Sequence, residues 1–94
     1  ADVPPVDARL MAAGQRPIAE AALSEAATQA AWKTVPSWFI YGDADRNIPP
    51  AAMAFMAQRA AARQSVVIRG ASHVVMVSHA PEVARLIEKA ATAD

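Results

Sequence analysis

Two pairs of polar residues in this chain could do chemistry together. Asp43 and Asp45 follow one short apolar run, and Ser72 and His73 follow another. A carboxylate beside an imidazole is the pairing that activates a hydroxyl nucleophile. The acid holds the ring in one tautomer and stabilises the imidazolium that forms when the ring takes the hydroxyl proton. The third member of such a set is absent. The serines are Ser24, Ser37, Ser65, Ser72 and Ser78, and none sits in the Gly-x-Ser-x-Gly turn that presents a nucleophile at the top of an open sheet.

For the two clusters to meet, the chain between them must be a strand, a crossover and a parallel strand. Ser37-Trp38-Phe39-Ile40-Tyr41 is an aromatic and β-branched run between Pro36 and Gly42, as expected of a strand buried on both faces. Gly42 to Asn47 reads as a polar turn. Pro49-Pro50 then opens a helix at positions where a missing N–H costs nothing, and it is expected to run to about Ala62. On it Met53, Met56, Ala57 and Ala60 recur at helical spacing toward a sheet, while Gln58, Arg59 and Arg63 turn to water. Ser65 to Arg69 forms the second strand, ended by Gly70. A loop from Gly70 to Ser78 leads to a last helix from Ala80 to Ala91, with the apolar stripe Val83, Leu86, Ile87 and Ala90.

Before Pro36 the sequence is alanine-rich with spaced charges and predicts two helices, Val6 to Ala13 and Ile18 to about Ala31, parted by Gly14 and Pro17. Trp32 to Pro36 reads as an extended lead into the first strand. The expected class is α/β with parallel strands. Such strands are normally covered on both faces within a larger sheet, so two of them leave the sheet incomplete. Both polar clusters fall at the C-terminal ends of the strands, where open α/β sheets hold ligands and catalytic groups.

Composition excludes several functions. Nine basic and nine acidic residues are scattered singly and cancel, which argues against a nucleic-acid partner or an anionic surface. No apolar run approaches the roughly 20 residues that span a bilayer, so no membrane role is expected. There is no cysteine, hence no disulfide or thiol chemistry, and the His and Asp spacings match no metal motif. The opening Ala1-Asp2-Val3-Pro4-Pro5 has no signal-peptide pattern and no methionine. Cytoplasm is the default expectation, and excision from a longer chain is expected too.

The stretch Pro36-Ser37-Trp38-Phe39-Ile40-Tyr41-Gly42-Asp43-Ala44-Asp45-Arg46-Asn47-Ile48-Pro49-Pro50, followed by Val66 to His73, resembles the end of an α/β-hydrolase. In that superfamily the acid often sits in a Gly-x-x-Asp-x-x-x-Pro turn and the histidine in a Gly-x-x-His loop. Gly42, Asp45 and Pro49 match the first pattern; Gly70 and His73 match the second. The details resemble the esterase-like branch that includes methylesterases and hydroxynitrile lyases. Gln15-Arg16-Pro17-Ile18 and Trp32-Lys33 are similar to the end of its lid.

The resemblance implies that residues 1–35 are the helical end of a lid and residues 36–94 the C-terminal strand-helix-strand-helix of the core. It implies Asp45 as triad acid and His73 as base, an ester-like small-molecule substrate, and no metal or organic cofactor. The nucleophile and oxyanion hole would come from an upstream half of the same hydrolase, and this chain alone is expected to be inactive. A truncated relic that binds a partner or self-associates is the alternative. At the residue level, Asp45 could instead hold its turn or cap the following helix, and Asp43 could be the acid. Arg46 reads as an ion-pair or surface group, His73 could be a hydrogen-bonded loop residue, and His79 reads as a first-turn or capping residue. Met53 and Met56 read as core filler.

Overall fold

A computed structural model describes residues 1–93. Its centre is a parallel pair of strands, β1 (Trp38–Gly42) and β2 (Gln64–Ile68), in register from Trp38 opposite Gln64 to Gly42 opposite Ile68. The sheet has these two strands among the described residues and is incomplete on its own. Because side chains alternate along a strand, β1 serves two helices. Phe39 and Tyr41 face α3 (Pro50–Arg59), while Trp38 and Ile40 face α5 (Ala80–Ala91).

The core lies on that layering. Its buried apolar residues are Tyr41 from β1, Ala57 from α3, Ala71 and Val75 from the segment after β2, and Leu86 from α5. Gly42 closes β1 for a steric reason. A Cβ there would fall 2.1 Å from the Ala71 carbonyl oxygen and 2.8 Å from that of Ser72, so the end of β1 lies directly against the backbone that leads to His73.

Three parts of the sequence reading need correction. The helix expected from Ile18 to Ala31 is only a single turn, α2 (Ala21–Ser24), with Glu25 already extended. Ile18 and Leu23 are exposed, and a helix with no surface to pack on lacks the term that stabilises most helices in proteins. The expected extended lead holds a 3₁₀ turn, Ala31–Lys33. The expected loop after Gly70 contains a one-turn helix, α4 (Val75–Ser78). The first predicted helix is present as α1 (Pro5–Ala13) and buries no residue.

Arg59 and Arg63 are exposed, as expected, and also stack on aromatic rings. Arg59 lies 4.7 Å from the centre of the Trp32 ring and Arg63 lies 5.5 Å from that of Trp38. These cations do not simply face water; each covers an indole, a contact worth about 0.5–1 kcal/mol at an exposed site. Met56 on α3, expected as core filler, is 38% exposed, while Ala57 beside it is buried. Among the described residues no helix is long and apolar enough to cross a membrane.

Candidate active site

The turn after β1 is built around Asp45. Its Oδ1 accepts the backbone N–H of Asn47 at 2.8 Å and of Ile48 at 3.0 Å, the side-chain-to-backbone bonding with which aspartate stabilises tight turns. The turn-holding role considered from sequence is therefore present, and it leaves Oδ2 free. That second oxygen lies 2.8 Å from His73 Nδ1. One carboxylate thus fixes its own loop with one oxygen and orients the imidazole with the other.

The two side chains differ in burial. Only 3% of the Asp45 side chain is exposed, against 43% for His73. Burial pushes the Asp45 carboxyl up. The His73 ring and the amides of Ile48 and Asn47 outweigh it and hold the acid below its ordinary value. An ionised carboxylate only accepts hydrogen bonds, so Nδ1 carries the proton, and in the neutral ring the lone pair is then on Nε2. A neutral imidazole anchored at Nδ1, with Nε2 open, has the form of a general base.

The loop that carries His73 is held from several sides. Gly70 takes φ +74°, a left-handed conformation that glycine adopts without a Cβ penalty. Its N–H donates to Asp43 Oδ1 at 2.6 Å. Asp43 is thus engaged with the loop backbone rather than with the imidazole. Ala44 N–H donates to the carbonyl of Ala71 at 3.1 Å, and Ala71 is fully buried. The structure therefore brings Asp45 and His73 together and sets Asp43 to one side.

Ser72 is not offered to the imidazole. Its hydroxyl and its N–H both donate to the carboxylate of Asp2, the N–H at 3.1 Å. The sequence reading missed Asp2, and no local pattern could have found it, because the partners are 70 positions apart. These bonds hold the Asp2 carboxyl well below the usual carboxylate range. The Ser72 hydroxyl contributes most; the Ser78 hydroxyl acts in the same direction, although it is buried without a partner at hydrogen-bonding geometry.

His79 begins α5, and its carbonyl accepts the N–H groups of Glu82 and Val83. Its side chain makes no capping bond. The ring lies 3.6 Å from Asp2 and 3.9 Å from Glu82. Arg46 is exposed and borders, with Ala44, Asn47, Ser72, His73 and Val74, an open cavity of about 210 Å³ beside the imidazole. A wider groove of about 500 Å³, between β1 and α5 and lined by Trp38, Ile40, Val83, Leu86 and Ile87, has no titratable group. No group of three or more metal-ligating side chains occurs among the described residues.

The sequence profile of the alpha/beta hydrolase family matches residues 1–86. No curated protein and no solved structure matches the chain.

Proposed function

Because the chain belongs to the alpha/beta hydrolase family, we propose that it supplies the acid and the base of a serine-hydrolase triad acting on an ester or related acyl bond. The observation that carries this reading is the 2.8 Å contact between His73 Nδ1 and Asp45 Oδ2. The contact engages Nδ1, and the part-exposed His73 ring borders the open cavity of about 210 Å³. In this reading Nε2 takes the proton of a serine hydroxyl as that oxygen attacks the acyl carbon. It then returns the proton to the leaving alkoxide, while Asp45 holds the ring and balances its transient charge.

The nucleophile and the donors for the oxyanion lie in a segment N-terminal to residue 1. None of the five serines has the strand-turn-helix setting of a nucleophile, and the Ser72 hydroxyl is bound to Asp2. Residues 1–35 act as the end of a lid over the site. The esterase-like branch is favoured by the match of Gly42, Asp45 and Pro49 with Gly70 and His73.

The test is hydrolysis of a short-chain nitrophenyl ester by this chain, by its upstream half and by the two mixed. Turnover is expected only in the mixture. It should vanish with His73→Ala and fall by about four orders of magnitude with Asp45→Asn, the size of effect seen when a triad acid loses its charge. A folded mixture that is silent, or one unaffected by His73→Ala, overturns the assignment. The outcome would then favour a second reading, a non-catalytic module that associates through the apolar groove between β1 and α5.

A further inference from the structure

We propose that Asp2 is a positioning residue for His73, acting through a two-pronged carboxylate clamp on Ser72; the inference rests on the reading of His73 as the base. The loop from Gly70 to His73 is fixed residue by residue. Asp43 takes the N–H of Gly70, Ala44 donates to the carbonyl of Ala71, and Asp45 takes the ring of His73. All three partners come from the turn after β1. Ser72 is the exception, because both of its donors go to Asp2, at the other end of the chain.

The chemistry of the clamp is specific. Oδ2 accepts the Ser72 N–H and Oδ1 accepts the Ser72 hydroxyl, so each oxygen serves one donor of the same residue. That fixes both the position of the Ser72 peptide and the rotamer of its side chain. Ser72 is buried, with 8% of its surface exposed, and a buried N–H without an acceptor is strongly disfavoured. Since Ser72 directly precedes His73, a rotation of its peptide would swing the imidazole away from Asp45. Asp2 Oδ2 also lies 3.6 Å from His79 Nε2, so this carboxylate sits between the histidine loop and the start of α5.

An amide does not reproduce this acid, because asparagine carries no charge and its NH2 can meet the Ser72 hydroxyl only by donating to it, which reverses that bond. Asp2→Asn, nearly identical in shape, therefore separates the clamp from mere filling of space. The measurement is hydrogen exchange by NMR on the 94-residue chain, read at the Ser72 amide, at the His73 Nδ1 proton and along both strands. In Asp2→Asn the Ser72 amide should exchange about tenfold faster, the loss of one charge-assisted hydrogen bond. The His73 Nδ1 proton signal should broaden, while the amides of β1 and β2 keep their rates. Ser72→Ala should give a smaller effect and should not add to Asp2→Asn, since the two changes remove parts of one contact.

An unchanged Ser72 amide and Nδ1 signal, additive effects, or a loss of protection throughout β1 and β2 would each overturn the proposal. Ester hydrolysis by the chain mixed with its upstream half supplies a separate arm. Asp2→Asn should lower kcat with little change in KM. If no variant turns over, the hydrolase reading fails while the exchange data still decide the clamp. If the parent mixture turns over and the exchange data are flat, the clamp alone fails.

Discussion

Two helices that begin alike end up in very different surroundings. Both α1 and α3 start with a proline in the first turn and are rich in alanine. Yet α3 buries Ala57 against β1, and α1 buries nothing. The contrast extends to their regions. Every buried residue, apolar or polar, lies after Pro36, whereas Val6, Leu10, Ile18, Leu23 and Val35 are exposed before it. Local helix preference is similar in the two regions, and what separates them is a strand pair for the helix to cover. The candidate site follows the same division, since Asp45 and His73 both hang from strand ends. Asp2 crosses it through its bonds to Ser72.

The sharpest way to break the contrast is at the contact that joins β1 to the histidine loop. Gly42→Ala would place a methyl 2.1 Å from a backbone carbonyl oxygen, and backbone on both sides leaves no flexible atom to yield. A destabilisation of about 4 kcal/mol or more is expected, seen as a large fall in the urea midpoint followed by circular dichroism. A fall within about 0.5 kcal/mol would mean that β1 and the loop are not locked together.

A second, milder comparison substitutes one leucine in each region. Leu86 is 8% exposed and Leu23 is 76% exposed. Leu86→Ala should cost about 2–3 kcal/mol through lost burial and a residual cavity, while Leu23→Ala should stay within about 0.5 kcal/mol. Equal costs in thermal unfolding would show that residues 1–35 contribute a core of their own.

Acid sharpens the comparison at the point where the regions meet. Asp2 and Asp45 both have folded-state values below the ordinary 3.8. Each therefore binds its proton less readily folded than unfolded. The stability they contribute is complete above pH 3.8 and is lost as pH falls below it through the folded values. Stability measured in urea should decline over that window. The decline should be shallower in Asp45→Asn, and shallower again when Asp2→Asn is added. A variant with the parent's slope would show that its carboxylate is not linked to folding.

These differences explain what could be read in advance. The β1–α3–β2–α5 order follows from patterns spanning a few residues, aromatic and β-branched runs and a proline-started helix, whereas the choice of Asp45 over Asp43 as the partner of His73 came with the family resemblance of Gly42, Asp45 and Pro49 and of Gly70 and His73. Four features were not legible. Asp2 binds Ser72 across almost the whole chain, so nothing near either residue announces the contact. The stacking of Arg59 and Arg63 on Trp32 and Trp38 likewise depends on elements that meet only in the fold. The segment from Ile18 to Ala31 has helix-favouring composition but no packing surface, and alanine content was the wrong guide there. The run Val74 to Val77 is too short and too uniformly apolar for its periodicity to distinguish a helical turn from a loop.

The smallest effect is expected where α3 hands the chain to β2, and its sign is opposite to the others. Ala61 has φ 47°, in the left-handed region where a Cβ is disfavoured. The hydrogen bonds around it define the reason. Ala62 N–H reaches back to the Ala57 carbonyl at 3.0 Å, and Ala61 N–H reaches the Gln58 carbonyl at 3.0 Å. This is the paired arrangement that commonly ends helices with glycine at the left-handed position. Alanine therefore occupies a place suited to glycine, next to a strand whose register with β1 positions the whole site. Ala61→Gly should raise stability by about 0.5–1 kcal/mol: relief of the Cβ clash outweighs the greater freedom glycine has in the unfolded chain. A matched rise in the thermal midpoint with unchanged exchange at Ser72 would place the strain in the connection alone. A fall instead would mean that the turn is held by packing of the Ala61 methyl against the cavity it shares with Tyr41, Ala57 and Ser65.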